Sequence, residues 1–171
     1  RTGSLHWIVD GPTEQFVASV VYNGEYVFVT GGYPERHILA IKPDGTGNVT
    51  DTHIAWRTTR GAAYVPSPII VGRYLLVVAD SGVASCFEAM SGERLWQERL
   101  PGGHSPSPVS ANGLVYFISD SGITSIVRHG KTFNAVGEND LKERVSASAA
   151  ISQGQIFIRS HQHLYCIGKV K

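Results

Sequence analysis

Pro66-Ser67-Pro68 and Asp80-Ser81-Gly82-Val83-Ala84-Ser85 return forty residues later as Pro106-Ser107-Pro108 and Asp120-Ser121-Gly122-Ile123-Thr124-Ser125. Between these anchors, Tyr74-Leu75-Leu76-Val77-Val78 matches Leu114-Val115-Tyr116-Phe117-Ile118, so the apolar pattern repeats together with the turn residues. A self-similar period near 40 residues, built from β-type runs and turn residues, is the signature of a propeller blade. The repeat predicts an all-β fold: a β-propeller of four four-stranded antiparallel blades.

Working outward from the repeat, one blade covers residues 67–100 and the next residues 107–139. Their turns fall at Gly72, Asp80-Ser81-Gly82 and Ser91-Gly92, then at Asn112-Gly113, Asp120-Ser121-Gly122 and His129-Gly130. Upstream, residues 16–60 form a blade with an Asn23-Gly24 hairpin, an insertion at 31–36, a long turn through Asp44-Gly45-Thr46-Gly47-Asn48 and a last strand around Trp56. Downstream, residues 148–171 supply only three strands. Residues 1–10 read as the end of a repeat, because Gly3 and Trp7 stand four apart as Gly92 and Trp96 do. The expected pairing is therefore residues 5–9 against residues 164–167, in the same molecule or a neighbouring one, completing the last blade. Sixteen strands result.

The repeating residues have physical reasons. Pro66 and Pro68, like Pro106 and Pro108, lack N–H groups on one strand edge, which suits an innermost strand facing a central channel. Trp7, Trp56 and Trp96 are expected between blades, filling the gap that widens away from the axis and donating through the indole N–H. Phe133 stands where the third blade would have its tryptophan. Arg57, Glu93, Arg94, Glu98 and Arg99 put charge on the outer strands, where it discourages edge pairing with other chains.

Composition narrows the function. In 171 residues, Lys+Arg of 15 against Asp+Glu of 14 provides no field for nucleic acid or an anionic membrane surface. The longest apolar runs are strand length, so none is read as a membrane span, and the first residues do not read as a targeting segment. Cys86 and Cys166 fall in different repeats, which reads as two buried free thiols rather than a staple or a CxxC site.

Residues 82–96, Gly-Val-Ala-Ser-Cys-Phe-Glu-Ala-Met-Ser-Gly-Glu-Arg-Leu-Trp, resemble the pyrroloquinoline-quinone-type propeller repeat, with its short aliphatic strand, Ser-Gly turn and tryptophan four residues later. Arg1-Thr2-Gly3-Ser4-Leu5-His6-Trp7 is similar to the same tail. The resemblance covers essentially the whole chain, strongly in the second blade and loosely in the first and fourth. It implies a ring of seven or eight blades, of which this chain is half or a C-terminal fragment, and a bacterial protein that is periplasmic or otherwise exported. It spans quinoprotein alcohol dehydrogenases and the propeller lipoprotein of outer-membrane β-barrel assembly.

A quinoprotein dehydrogenase would be expected to bring a vicinal Cys-Cys pair, acidic calcium ligands and a catalytic Asp, and the sequence has no Cys-Cys pair. His161-Gln162-His163 has a spacing that zinc or copper uses, though it replaces a turn and lacks an identifiable third ligand. Asp44, Thr46, Asn48 and Asp51 place oxygens in a Gly-rich loop, but Ala55 stands where an EF-hand-type loop wants an acid. Asn48-Val49-Thr50 fits a glycosylation acceptor by its letters alone. No catalytic, cofactor-binding or metal residue is assigned, and no cofactor is expected. The function expected is a non-catalytic scaffold that presents loops, including Gly102-Gly103-His104 and residues 138–144, to a protein or saccharide partner, with a second copy or the remainder of the ring as a further associate. The alternative is part of a quinone-dependent oxidoreductase.

Overall fold

The computed structural model describes residues 2–11 and 13–168; Arg1, Pro12 and residues 169–171, the last of which belong to the expected final blade, lie outside the described residues. The elements are all strands: β1 (Trp7–Ile8), β2 (Val21–Tyr22), β3 (Val27–Gly31), β4 (His37–Ile41), β5 (Gly47–Asn48), β6 (Ile54–Thr58), β7 (Ile69–Val71), β8 (Tyr74–Val78), β9 (Val83–Glu88), β10 (Arg94–Arg99), β11 (Val109–Ala111), β12 (Leu114–Ile118), β13 (Ile123–Arg128), β14 (Ala135–Asp140), β15 (Ala150–Ser152), β16 (Gln155–Arg159) and β17 (Leu164–Ile167). Three antiparallel sheets have four strands each, β2-β3-β4-β6, β7-β8-β9-β10 and β11-β12-β13-β14, and a fourth has β15-β16-β17. This is a β-propeller architecture.

Side-chain alternation explains why the inner strands are apolar at every position. In β8, Leu75 and Val77 point into the cluster shared with the preceding blade, which holds Phe28, Ile38, Ala40 and Phe87. Leu76 and Val78 point the opposite way, into a cluster with Cys86, Trp96, Val115, Phe117 and Val127. The two middle sheets are each sandwiched between two others, so both of their faces are dry and the usual polar alternation is absent. Near the axis, the N–H of Ser19 donates to Ser67 Oγ at 2.9 Å, that of Ser67 to Ser107 Oγ at 3.0 Å, and that of Ser107 to Ser148 Oγ at 2.9 Å. The prolines flanking these serines precede β7 and β11 instead of lying within them. Their missing N–H groups thus sit just outside the ladders.

Two indoles cross to the next blade as expected. Trp56 Nε1 donates to Ala89 O at 2.9 Å and Trp96 Nε1 to Gly130 O at 3.1 Å. Trp56 stacks on Phe87 with centroids 6.3 Å apart.

Two expectations are corrected. Residues 5–9 do not pair with β17: β1 runs parallel to β5, with Trp7 opposite Gly47 and Ile8 opposite Asn48. The long β4–β6 turn holds it there, through Gly47 N–H to His6 O and Val49 N–H to Ile8 O, both 2.9 Å, and Trp7 Nε1 to Pro43 O at 2.9 Å. The β15-β16-β17 sheet accordingly keeps three strands among the described residues.

Phe133 is not the third tryptophan's substitute. Each outer hairpin has a bulge of one residue, and the residue after it is Trp56 opposite Ala40, Trp96 opposite Cys86 and Gly137 opposite Ile126. Residues 129–134 link β13 to β14 where residues 89–93 link β9 to β10, one residue more, so the tryptophan place falls at Gly137, four residues beyond Phe133. Phe133 instead packs edge-on against Trp96, with centroids 5.2 Å apart and planes at 68°.

Candidate binding face

The β8–β9 and β12–β13 turns and the connections between blades gather at one end of the strands. Gly82 and Gly122, which end the two Asp-Ser-Gly turns, have φ of +86° and +90°, and a Cβ there would stand 2.2 Å from Gly102 O and 2.1 Å from Glu143 O. Only glycine allows both the backbone conformation and the close crossing of the next connection. That crossing is then bonded in place: Leu100 N–H donates to Gly82 O at 2.8 Å and Leu141 N–H to Gly122 O at 3.2 Å.

Further bonds run from blade to blade along this end. His104 N–H donates to Asp80 O at 2.9 Å, Asp120 N–H to Gly103 O at 2.8 Å, Val145 N–H to Asp120 O at 3.1 Å and His161 N–H to Arg144 O at 2.9 Å. The Asp80 carboxylate accepts the N–H groups of Tyr64 at 3.2 Å and Val65 at 3.0 Å, and Asp120 Oδ1 accepts that of Ser105 at 2.9 Å. Arg36 comes within 3.5 Å of Asp80. Tyr64 OH donates to Gln15 Oε1, which ties in the first blade. The result is one continuous band of loops with little backbone freedom. Its exposed residues include Tyr33, Glu35, Arg36, Arg60, Pro101, Ser121, Lys142, Arg144, His161, Gln162 and His163.

The sequence-expected loop residues divide between surface and interior. Residues 138–140, Lys142 and Arg144 are exposed, whereas His104 is buried at 1%. Neither of its ring nitrogens has a hydrogen-bond partner, and burial holds its pKa below the ordinary histidine value. His104 therefore supports the loop from beneath and is unavailable to a partner.

The two exposed histidines diverge. His163 Nδ1 lies 2.7 Å from Glu143 Oε1, which also accepts Tyr165 OH at 2.9 Å, while Ser160 Oγ donates to the other carboxylate oxygen at 2.5 Å. These bonds, the Ser160 bond foremost, keep the Glu143 carboxyl below its ordinary pKa. His161 Nε2 instead stands 3.2 Å from Ser146 Oγ. In a nucleophilic triad the base bonds the nucleophile and the acid orients the base. Glu143 here bonds both the serine and the histidine, and Ser160 Oγ turns to the backbone of His163, so the arrangement is a loop clasp. Among the described residues, no three or more His, Cys, Asp or Glu side chains gather as a metal site. In the Gly-rich loop, Asn48 Oδ1 accepts Thr50 Oγ1 at 2.7 Å and Asn48 Nδ2 donates to Asp10 Oδ2 at 2.9 Å, so Asn48 is engaged within the loop, while Asp44 faces His53 at 3.7 Å.

The thiols also differ. Cys86 is buried and its pKa is pushed up to about 12 by burial, whereas Cys166, expected inside, is exposed on β17. Sequence reasoning missed Glu143 as an organiser of the band. The 160s loop that meets it replaces the Asp-Ser-Gly turn, so the repeat carried no counterpart.

The family described as Outer membrane protein assembly factor BamB matches residues 1–171. The chain belongs to that family. No curated protein matches it. Among solved structures, BamB from Moraxella catarrhalis superposes with a TM-score of 0.77 at 14% identity, over 97% of this chain and 50% of that one. The chain thus spans half the length of that relative. The computationally designed Ika4 protein is similar with a TM-score of 0.73 at 13% identity, covering 98% of this chain and 100% of that one. Myxococcus xanthus glutaminyl cyclase is more distant, with a TM-score of 0.56 at 14% identity over 90% and 66% of the two chains. These likenesses show the propeller fold. No helix among the described residues is long and apolar enough to cross a membrane.

Proposed function

We propose that the chain is a non-catalytic propeller scaffold that binds a protein partner through the band of loops from residue 31 to residue 163, and that it serves outer membrane protein assembly in the periplasm. The observation that carries this reading is the run of blade-to-blade bonds from Tyr64 through Asp80, Gly103, Asp120 and Arg144 to His161. A surface fixed before binding loses little conformational entropy when a partner docks. Lys142, Arg144, Gln162 and His163 stand exposed on it, the kind of polar side chain that forms the rim of a protein–protein interface. The family match supports an assembly role over a quinone-dependent oxidoreductase. Exposed Phe16, Val17, Val20 and Tyr22 at the first blade, and Leu164 and Ile167 at the last, support association with further blades, from a second copy or from the other half of a ring.

Photo-crosslinking residues placed at Pro101, Arg144 and Gln162 test the reading against the same residues at Asn112 and Gln153, whose turns lie at the other end of the strands. Protein adducts from the first set and none from the second are expected. Adducts confined to the second set, or capture of saccharide alone by the first, would refute it.

A further inference from the structure

The gap between the third and fourth blades repeats the gap between the second and third residue for residue, except that its tryptophan is missing. On the near wall, Leu76, Val78, Cys86 and Trp96 correspond to Tyr116, Ile118, Ile126 and Gly137, through the shared registers Leu76 to Cys86 to Trp96 and Tyr116 to Ile126 to Gly137. On the far wall, Val115, Phe117 and Val127 correspond to Ile156, Ile158 and Ile167. Both walls are apolar, as they are in the filled gaps.

Val127, which faces Trp96 and is flanked by β14, is 0% exposed; its counterpart Ile167, on the edge strand β17 and facing no tryptophan, is 46% exposed. A Cβ built on Gly137 would meet only the Ile126 Cδ1 atom, at 3.7 Å. Between the two walls lies a cavity of about 290 Å³, lined by their six large apolar side chains together with Thr124 and Leu141, and by Asn139 and Asp140. That volume lies at the small end of ligand pockets, roughly 300 Å³ upward. It is a slot between two β-sheets, whose faces pack about 10 Å apart, and so favours a flat occupant.

We propose that this cavity is a binding site for a small neutral aromatic molecule of indole size, which takes the place that the chain's own indole fills in the two earlier gaps. The fit is judged against Trp56 and Trp96, whose rings occupy the equivalent space between similar walls and whose N–H groups find carbonyl acceptors. Beside the cavity, the Asn139 side-chain carbonyl offers an acceptor to a ring N–H, while both Asp140 oxygens are engaged by Lys142. An apolar cavity with few polar groups is poorly hydrated, so a ring displaces little ordered water on entry.

Indole is the probe, and methyl resonances of Ile126, Ile156 and Ile167 in the full chain are the readout. Saturable shifts of these methyls are expected in the wild type and in Gly137→Ala, which leaves the slot open. Gly137→Trp should abolish the shifts and raise the thermal midpoint. Ile167→Trp fills the slot from the other wall and should also abolish them, which keeps the test decisive if Gly137→Trp does not fold. Absence of saturable shifts in the wild type overturns the proposal, as does binding that survives both tryptophan variants. Binding of a tryptophan-bearing peptide without binding of indole overturns it in favour of a peptide pocket.

Discussion

The N–H of Ser67 donates to the hydroxyl of Ser107 at 3.0 Å, joining two positions forty residues apart. Ser19 and Ser148 extend the same relation to the first and last blades. These bonds close the axis, where the innermost strands are only two or three residues long and sheet bonding is sparse. Ser107→Ala leaves the Ser67 N–H without its acceptor, and a lost partner at a partly buried donor costs about 1–3 kcal/mol. A urea midpoint lowered accordingly, with an unchanged slope, is the expected result. Ser148→Ala should cost less, because its bond is exposed.

Trp96→Ala should cost about 3–5 kcal/mol, since it opens a cavity in the cluster shared by two blades. Phe133→Ala should cost less. The two rings touch edge to face, so the double variant should be less destabilised than the sum of the singles, by about 0.5–1.5 kcal/mol. Additive losses in denaturant titrations would place Phe133 elsewhere.

His104 and His37 are buried, and burial lowers both pKa values below the ordinary histidine value of 6.5. Between the folded pKa and the unfolded one, the unfolded chain binds more protons, so stability rises with pH through that window. The contribution is fully present above about pH 6.5 and falls as the pH drops toward the folded values. Urea midpoints measured at about pH 7.5 and about pH 5.5 should therefore fall on acidification, and His104→Gln should shrink the fall. An unchanged pH dependence in the variant would show that His104 does not contribute to it.

Removing residues 1–10 should speed hydrogen exchange at Gly47 and Val49, whose N–H groups donate to His6 O and Ile8 O. Exchange in β17 should not change. A change confined to β17 would restore the pairing that the repeat count suggested.

What could be read from the sequence follows from how strongly each feature repeats. Pro-Ser-Pro and Asp-Ser-Gly recur at one spacing because the blades that carry them turn at the same radius, so the blades were legible. Trp56 and Trp96 were legible as spacers between blades. Gly137 was not, because the place expected at Phe133 falls four residues short of it, and a missing side chain leaves no letter to find. The partner of β1 was hidden for a different reason: a two-residue strand has no period, and side-chain and backbone bonds to the 43–50 turn decide its place. His104 reads as an exposed loop residue after Gly102-Gly103, yet the crossing connections bury it. The Glu143 clasp joins residues 143 and 160–165, a contact that only the folded chain brings together.

The most direct test of the binding account is the affinity of the crosslinked partner, once purified, for charge-reversed surfaces at opposite ends of the propeller. Arg144→Glu on the loop band should weaken binding tenfold or more, about 1.4 kcal/mol, while Lys131→Glu on the opposite hairpin should change it by less than about threefold. Equal affinities for the wild type and Arg144→Glu, with loss in Lys131→Glu, would contradict the account.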